Sequence, residues 1–504
     1  MFTQTWRDHW GLQQDPFACE DADKDPLLAE VDPAAVHCGF DRIYGDPRVP
    51  APGIVFGEKG SGKSGLRRMM LRRLEQHAAD GTGGRPFVVE YIDFDPYLEA
   101  FRRSTGASRD PDKAAEQVVK RWRVADHLDA VLSLGATRLV DGVLAGGEAR
   151  ATLRGLSRKQ RTDLALLTSL YYQSPVGTAR EALRRLRGPL GLRSLRPVAL
   201  KALCMVLTVV GLGLVALPFL GIWELGRRTP WFWAGALVIA GAWGWRAVAR
   251  FQIVRRAERA CAAVRVLPRD ATPLADLLQG LRPRERAEFA LPAGQDDGNR
   301  YELLRRFLGL LTDLGYSGWY VLMDRVDEPS LHSGNDDRMR RFVEKLFDIK
   351  LLQYPGLALK LFLPIEMERL HRGASPEEQK RMRLDKSNLI PELKWTGPEL
   401  YEIATQRIRA CRGPAGTGTG AGVNELGELF AEDVPAELLR ETLAALATPR
   451  YAFGFLSSVV LEYVRDLPGE LPPEDPRWRI SRSCFDVVRA GWLDRAGLLR
   501  RTLN

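Results

Sequence analysis

Hydrophobic and polar positions along the chain switch between strand and helix periods, in an order that predicts an α/β domain. Ile54, Val55 and Phe56 form a short apolar run of strand character, and Leu66 to His77 follows with helix-forming residues. Phe87 to Phe94 alternates as a second strand, V-V-E-Y-I-D-F. From about Asp110 to Ser174 the pattern is helical and mixed in charge. Tyr301 to Leu314 predicts a helix, Trp319 to Met323 a buried strand, Arg338 to Leu352 a helix and Leu357 to Leu363 another strand. Such alternation predicts a doubly wound parallel sheet.

Two apolar stretches interrupt that pattern. Ala202 to Trp223 carries no formal charge, and Pro230 to Trp245 is apolar again, with Ala247 to Ala249 extending it past Arg246. The first is long enough to cross a hydrocarbon core of about 30 Å at about 1.5 Å per residue. The second needs Arg246 to snorkel or the bilayer to thin. Trp223, Trp231, Trp233, Trp243 and Trp245 lie near the ends, where aromatic side chains suit the membrane interface. The expectation is a transmembrane hairpin rather than a pair of buried core helices. Arginines crowd both flanks, Arg180 to Lys201 and Arg246 to Arg259, so both flanks are expected on the cytoplasmic side, against an anionic inner leaflet. These flanks explain much of the net charge of +9 and weaken nucleic acid as an explanation of it.

Charge and motif chemistry add a site. Gly57, Glu58, Lys59, Gly60, Ser61, Gly62, Lys63 and Ser64 read G-E-K-G-S-G-K-S, a full match to G-x-x-x-x-G-K-[ST]. The glycines let successive backbone N–H groups turn toward an anion, and the following helix adds its positive end. In that pattern Lys63 bridges the β- and γ-phosphates, and the Ser64 hydroxyl holds Mg²⁺. Asp324 ends the apolar strand Trp319 to Met323 and is expected to bind Mg²⁺ through water, with Asp327 or Glu328 positioning the attacking water. Glu366, Arg369 and Arg372 are candidates for γ-phosphate and trans contacts, weighed against a solvated helix face. Pro449 suits a helix start, which puts Arg450 in a first turn where it would sense the γ-phosphate. The six cysteines are scattered without a C-x-x-C pair or a histidine at metal-ligand spacing, and read as reduced thiols. The N-terminus is not that of a signal peptide.

With G-E-K-G-S-G-K-S, the apolar pair, V-L-M-D-R-V-D-E and T-P-R on one chain, the sequence resembles the KAP family of P-loop NTPases, within the STAND and AAA-like group. The likeness runs from about Val36 to Arg465. Arg325 stands where the family carries a second acid, and Glu328 where it carries a basic residue. The resemblance implies a P-loop NTPase sheet interrupted by a helical insert with two transmembrane helices, and closed by a C-terminal helical lid. The domains expected are 1–100 for the first half of the NTPase, 101–195 for a helical insert, 196–250 for the hairpin, 251–392 for the second half and 393–504 for the lid. It also implies ATP, Mg²⁺ and a role in anti-phage defence; a homo-oligomer is expected, and Phe17 and Tyr44 are read either as packing near an adenine or as core residues. Three functions follow: an inner-membrane ATPase with its catalytic domain cytoplasmic, a nucleotide-gated switch with little hydrolysis, and a membrane-tethered nucleic-acid binder using Arg67, Arg68, Arg72 and Arg73.

Overall fold

The computed structural model of the protein describes residues 2–18, 21–31, 37–81, 84–146, 153–191, 196–216, 228–289, 291–294, 297–329, 335–347, 349–372, 388–412, 422–468 and 471–503. The chain divides into two compact units, Met1–Asp93 with Tyr316–Asn504, and Phe94–Gly315.

The first unit is built on a five-stranded sheet in the order β2-β3-β4-β1-β5, all strands parallel. The strands are β1 (Gly53–Gly57), β2 (Arg85–Tyr91), β3 (Tyr316–Met323), β4 (Leu357–Pro364) and β5 (Asn388–Ile390). The apolar runs became the central strands because both faces of this sheet are covered: every residue of β1 and β4 is buried. Val55, Val88, Tyr320, Leu322 and Phe362 form one core with Leu66, Met69 and Met70 of the Lys63–Asp80 helix. Their strand neighbours Ile54, Phe56, Val89, Val321 and Leu363 are as deeply buried, and by the period of two they turn to the other face. β5 has only three residues, too few for an alternation to show, and was not expected. In register, Gly57 lies opposite Pro364 and Met323 opposite Leu361, so the strands carrying the glycine loop and Asp324 end at one edge with β4 between them.

The second unit is helical. Val124–Ala145, Arg158–Tyr171 and Asp297–Asp313 pack together, pinned by the buried pair Arg300 with Asp129 and by Arg306 with Asp163. The Asp297–Asp313 helix packs with the helices before it, and this unit runs to Gly315. Two helices are long and apolar enough to cross a membrane, Val198–Ala216 and Pro230–Ala263. They pack antiparallel: Trp243 Nε1 donates to Thr208 Oγ1 at 2.9 Å, and Gly211 meets Gly235 so closely that a Cβ on Gly235 would lie 2.4 Å from the Gly211 carbonyl oxygen. The lack of a Cβ on either glycine permits that approach. Leu203, Val206, Val209, Leu237, Trp245 and Phe251 remain exposed, so the pair is not a buried core. The second helix runs on to Ala263, well beyond the stretch read from hydropathy, and the connection at 217–227 lies outside the described residues.

One buried charge of the sheet makes a pH test. Lys360, on β4, is buried, and its Nζ donates to the carbonyls of Ile43 at 2.5 Å and Tyr44 at 3.2 Å. Burial pushes its ammonium down to about 7. The unfolded chain would hold this proton up to about pH 10.4. Between those values the unfolded state binds more protons, so folding stability rises with pH from about 7 to about 10.4, by at most about 1.4 kcal/mol per unit. Denaturant unfolding across that range is expected to show the rise in the natural chain and a flatter profile in Lys360→Met. Parallel profiles would show that Lys360 keeps its proton when folded.

Candidate functional site

The glycine loop joins β1 to the Lys63–Asp80 helix. Gly60 and Gly62 take φ of 88° and 91°, in the left-handed region that L side chains avoid. A Cβ on Gly62 would also press on Pro449 and Trp395, at 3.2 and 3.3 Å. The loop is braced from outside: Trp395 Nε1 donates to Ser61 O at 2.6 Å, and the Leu393 N–H donates to Phe56 O at 2.7 Å. Lys63 Nζ donates to the carbonyls of Gly57 and Glu58, at 2.7 and 2.9 Å. Ser61 Oγ is buried with no partner among the described residues, a polar atom of the kind an anion or water in the loop would satisfy.

Asp324 follows β3 and is 1 % exposed. Its Oδ2 accepts from Arg67 Nε at 3.2 Å. Arg67 lies one turn beyond Lys63, is fully buried, and also pairs with Asp23 and Glu90. The next residue, Arg325, is a non-glycine residue at φ 61°, a conformation costing about 1–2 kcal/mol. Its guanidinium pairs with Asp23 at 2.5 Å, Asp21 at 3.1 Å and Glu328 at 3.5 Å.

A cleft of about 420 Å³ brings these groups together. Lys59, Gly60, Gly62, Lys63, Ser64, Asp324, Asp327, Glu328 and Arg450 all line it, so most of the predicted site residues share one cavity. Gly57, Glu58 and Ser61 form the loop's own frame instead of the lining. Arg450 sits in the first turn of the Pro449–Arg465 helix, as expected, with its N–H 3.4 Å from Gly60 O. Burial pushes the Lys63 ammonium down, against the upward pull of Asp327, Asp324 and Glu366, while Arg450 adds to the fall. Burial raises the Glu328 carboxyl, and Asp327 and Asp324 add to that rise against Arg325. Arg325 therefore does not make Glu328 a weaker base on balance. A serine hydroxyl and a carboxylate at the mouth of the loop suit a hard cation such as Mg²⁺.

Other expectations fare differently. Phe17 packs against Phe453 and Tyr44 against Phe40, both as buried core, and neither lines the cleft; Asp21, Ala22, Asp25 and Leu28 do. The arginines offered as a nucleic-acid patch are engaged within the unit: Arg67 with three acids, Arg68 with Asp23, Arg72 with Val31 O, and Arg73 with Asp41. Arg369 is exposed, and the Arg372 side chain lies outside the described residues. Folding also brings His37, Cys38 and Glu399 together, which no spacing in the sequence reveals. Both His37 ring nitrogens are spent, one accepting from the Gly39 N–H at 2.9 Å and one on Lys394 O at 3.0 Å, so this cluster is held as structure. The five described cysteines are free thiols.

Comparison with models of known families, with curated proteins and with solved structures found no match to this chain.

The Arg67 cluster predicts its own energetics. Arg67→Met would leave Asp23, Glu90 and Asp324 without their shared cation and is expected to cost about 3–5 kcal/mol in denaturant unfolding. Arg67→Lys should recover part of that loss. An unchanged midpoint in Arg67→Met would mean that solvent or protonation compensates the three acids.

Proposed function

We propose that this protein is a membrane-anchored P-loop NTPase of KAP type, which binds ATP with Mg²⁺ and hydrolyses it at the cleft. The observation that carries the reading is the convergence of three separate parts of the chain on one cavity. The glycine loop, the acidic end of β3 and the first turn of the Pro449–Arg465 helix are distant in sequence and all line it. A strand-end cleft at the carboxyl edge of a parallel sheet is also where such sheets bind ligands.

In this reading Lys63 exchanges the carbonyls of Gly57 and Glu58 for phosphate oxygens, and the unspent N–H groups at the start of the helix face the same anion. Ser64 and Asp324 would hold Mg²⁺, which when bound neutralises charge on the phosphates. Asp327 balances the Lys63 ammonium. Glu328, with its raised affinity for protons, is the base that orients water, and Arg450 follows the γ-phosphate. The two apolar helices anchor the chain in the inner membrane with the NTPase domain cytoplasmic. A slow nucleotide-gated switch is the second reading, favoured by one contact: Arg67 already occupies Oδ2 of Asp324, the carboxylate needed for Mg²⁺.

Mg²⁺-dependent ATP turnover by the full chain in detergent tests the first reading, with Lys63→Ala as control. Turnover abolished by Lys63→Ala is expected; tight binding without turnover would select the switch, and no binding would remove both. Within the enzyme reading, Glu328→Gln is expected to lower kcat about 100-fold or more with little change in ATP affinity. The rate of the natural chain should fall as pH drops through the raised Glu328 pKa, and this limb should vanish in Glu328→Gln. A larger loss in Asp327→Asn would exchange the two roles.

A further inference from the structure

A polyphosphate entering the cleft meets a balanced set of charges. Among the described residues, acidic and basic side chains line it in equal number, five of each. An anion therefore finds no net positive charge there, and gains cations only by drawing them from carboxylates. Those cations are held with different firmness. Arg407 is buried with Asp25, and a buried pair does not open readily. The Arg325 side chain is a quarter exposed, and its partners Asp21 and Glu328 are more exposed still and line the cleft with it. Such part-exposed pairs are weak and exchange easily. Its third partner, Asp23, also pairs with the buried Arg67, and so keeps a cation when Arg325 leaves. The backbone points the same way. At φ 61° a glycine or asparagine would sit with less strain, so what this position supplies is the arginine side chain. In the nucleotide reading Glu328 orients water beside the γ-phosphate. Arg325 Nη1 lies 3.5 Å from Glu328 Oε2, which puts the guanidinium at that end of the cleft.

We propose that Asp21 and Asp23 hold Arg325 in place of a phosphate, and that the γ-phosphate of a bound triphosphate draws the guanidinium away from them. The acidic turn of the N-terminal segment is thus a built-in competitor, and Arg325 sets how far the site prefers a triphosphate to a diphosphate. The inference rests on the nucleotide reading and adds regulation of the same site. The exchange needs one side chain to move. Asp23 and Asp25 stay on Arg67 and Arg407, so the segment remains anchored, and Asp21 retains Lys24 at 3.6 Å. A guanidinium can offer a phosphate two parallel N–H groups, which a part-exposed carboxylate pair does not outweigh.

Equilibrium binding of ATP and ADP, each with Mg²⁺, to the full chain in detergent tests this as a double-mutant cycle of Asp21→Asn and Arg325→Asn. Asparagine tolerates the left-handed backbone at 325 and keeps the size of the side chain at 21. Arg325→Asn is expected to weaken ATP about 10-fold or more and ADP less than about 3-fold. Asp21→Asn is expected to tighten ATP about 3-fold or more, and to lose that effect once Arg325→Asn is present. ATP and ADP weakened in equal proportion by Arg325→Asn would overturn the proposal. So would an Asp21→Asn effect that is absent, or the same in both backgrounds; either leaves a triphosphate site that depends on Lys63. If neither nucleotide binds the natural chain better than Lys63→Ala, the nucleotide reading falls and this proposal with it. Should Arg325→Asn fail to fold, Arg325→Gly, which takes φ 61° without strain, replaces it in the cycle.

Discussion

Arg67 is the charge around which the sheet unit is organised. A guanidinium with no exposed surface is tolerated only where carboxylates and hydrogen bonds replace its water. Here the replacements come from three directions: Asp23 on the N-terminal segment, Glu90 at the end of β2 and Asp324 after β3. Arg67 itself sits one turn beyond Lys63. The same ion-pair cluster therefore fixes the glycine-loop helix against the acidic edge of the sheet and draws the N-terminal segment over both. Removing Arg67 would leave the buried Asp324 without its cation, while Asp23 keeps Arg325.

The cleft inherits its shape from that constraint. With Asp324 tied to Arg67, the chain must turn away at Arg325, and it does so in a left-handed conformation that Asp21 and Asp23 help to hold by ion pairs. The C-terminal part closes the other side, with the Arg450 backbone N–H toward Gly60 O and the Trp395 indole donating to Ser61 O. N-terminal and C-terminal segments are themselves joined by Trp6 Nε1 on Trp478 O at 2.9 Å and by the Arg407–Asp25 pair. A loop built from flexible glycines is in this way held by rigid neighbours, the condition for backbone N–H groups to act as a preorganised anion site.

The helical unit solves a different problem. Its buried charges are paired inside the bundle, as Asp129 shows. Burial pushes its carboxyl up to about 6, even against the pull of Arg300 and a hydrogen bond from Tyr171 at 2.8 Å. Its apolar pair, by contrast, keeps large side chains on the outside and meets its own partner through glycines. Small residues face inward and large apolar ones outward in a pair of helices long and apolar enough to cross a membrane.

The local features were legible in sequence because they depend on near neighbours. An apolar run buried on both faces is a strand, a glycine-spaced loop before a helix turns as its glycines allow, and Pro449 starts a helix wherever it lies. Hence β1 to β4, the loop Gly57–Ser64, the position of Asp324 and the two apolar helices could be read directly. What the tertiary structure decided involves partners hundreds of residues apart. Arg67 read as one of four arginines open to a nucleic acid, and only the meeting of Asp23, Glu90 and Asp324 buries it. Arg407 gave no signal at all, because its meaning comes from Asp25 and Phe453. Burial and pairing of charge are properties of the assembled chain, and no periodicity in the sequence encodes which carboxylate will arrive beside which arginine.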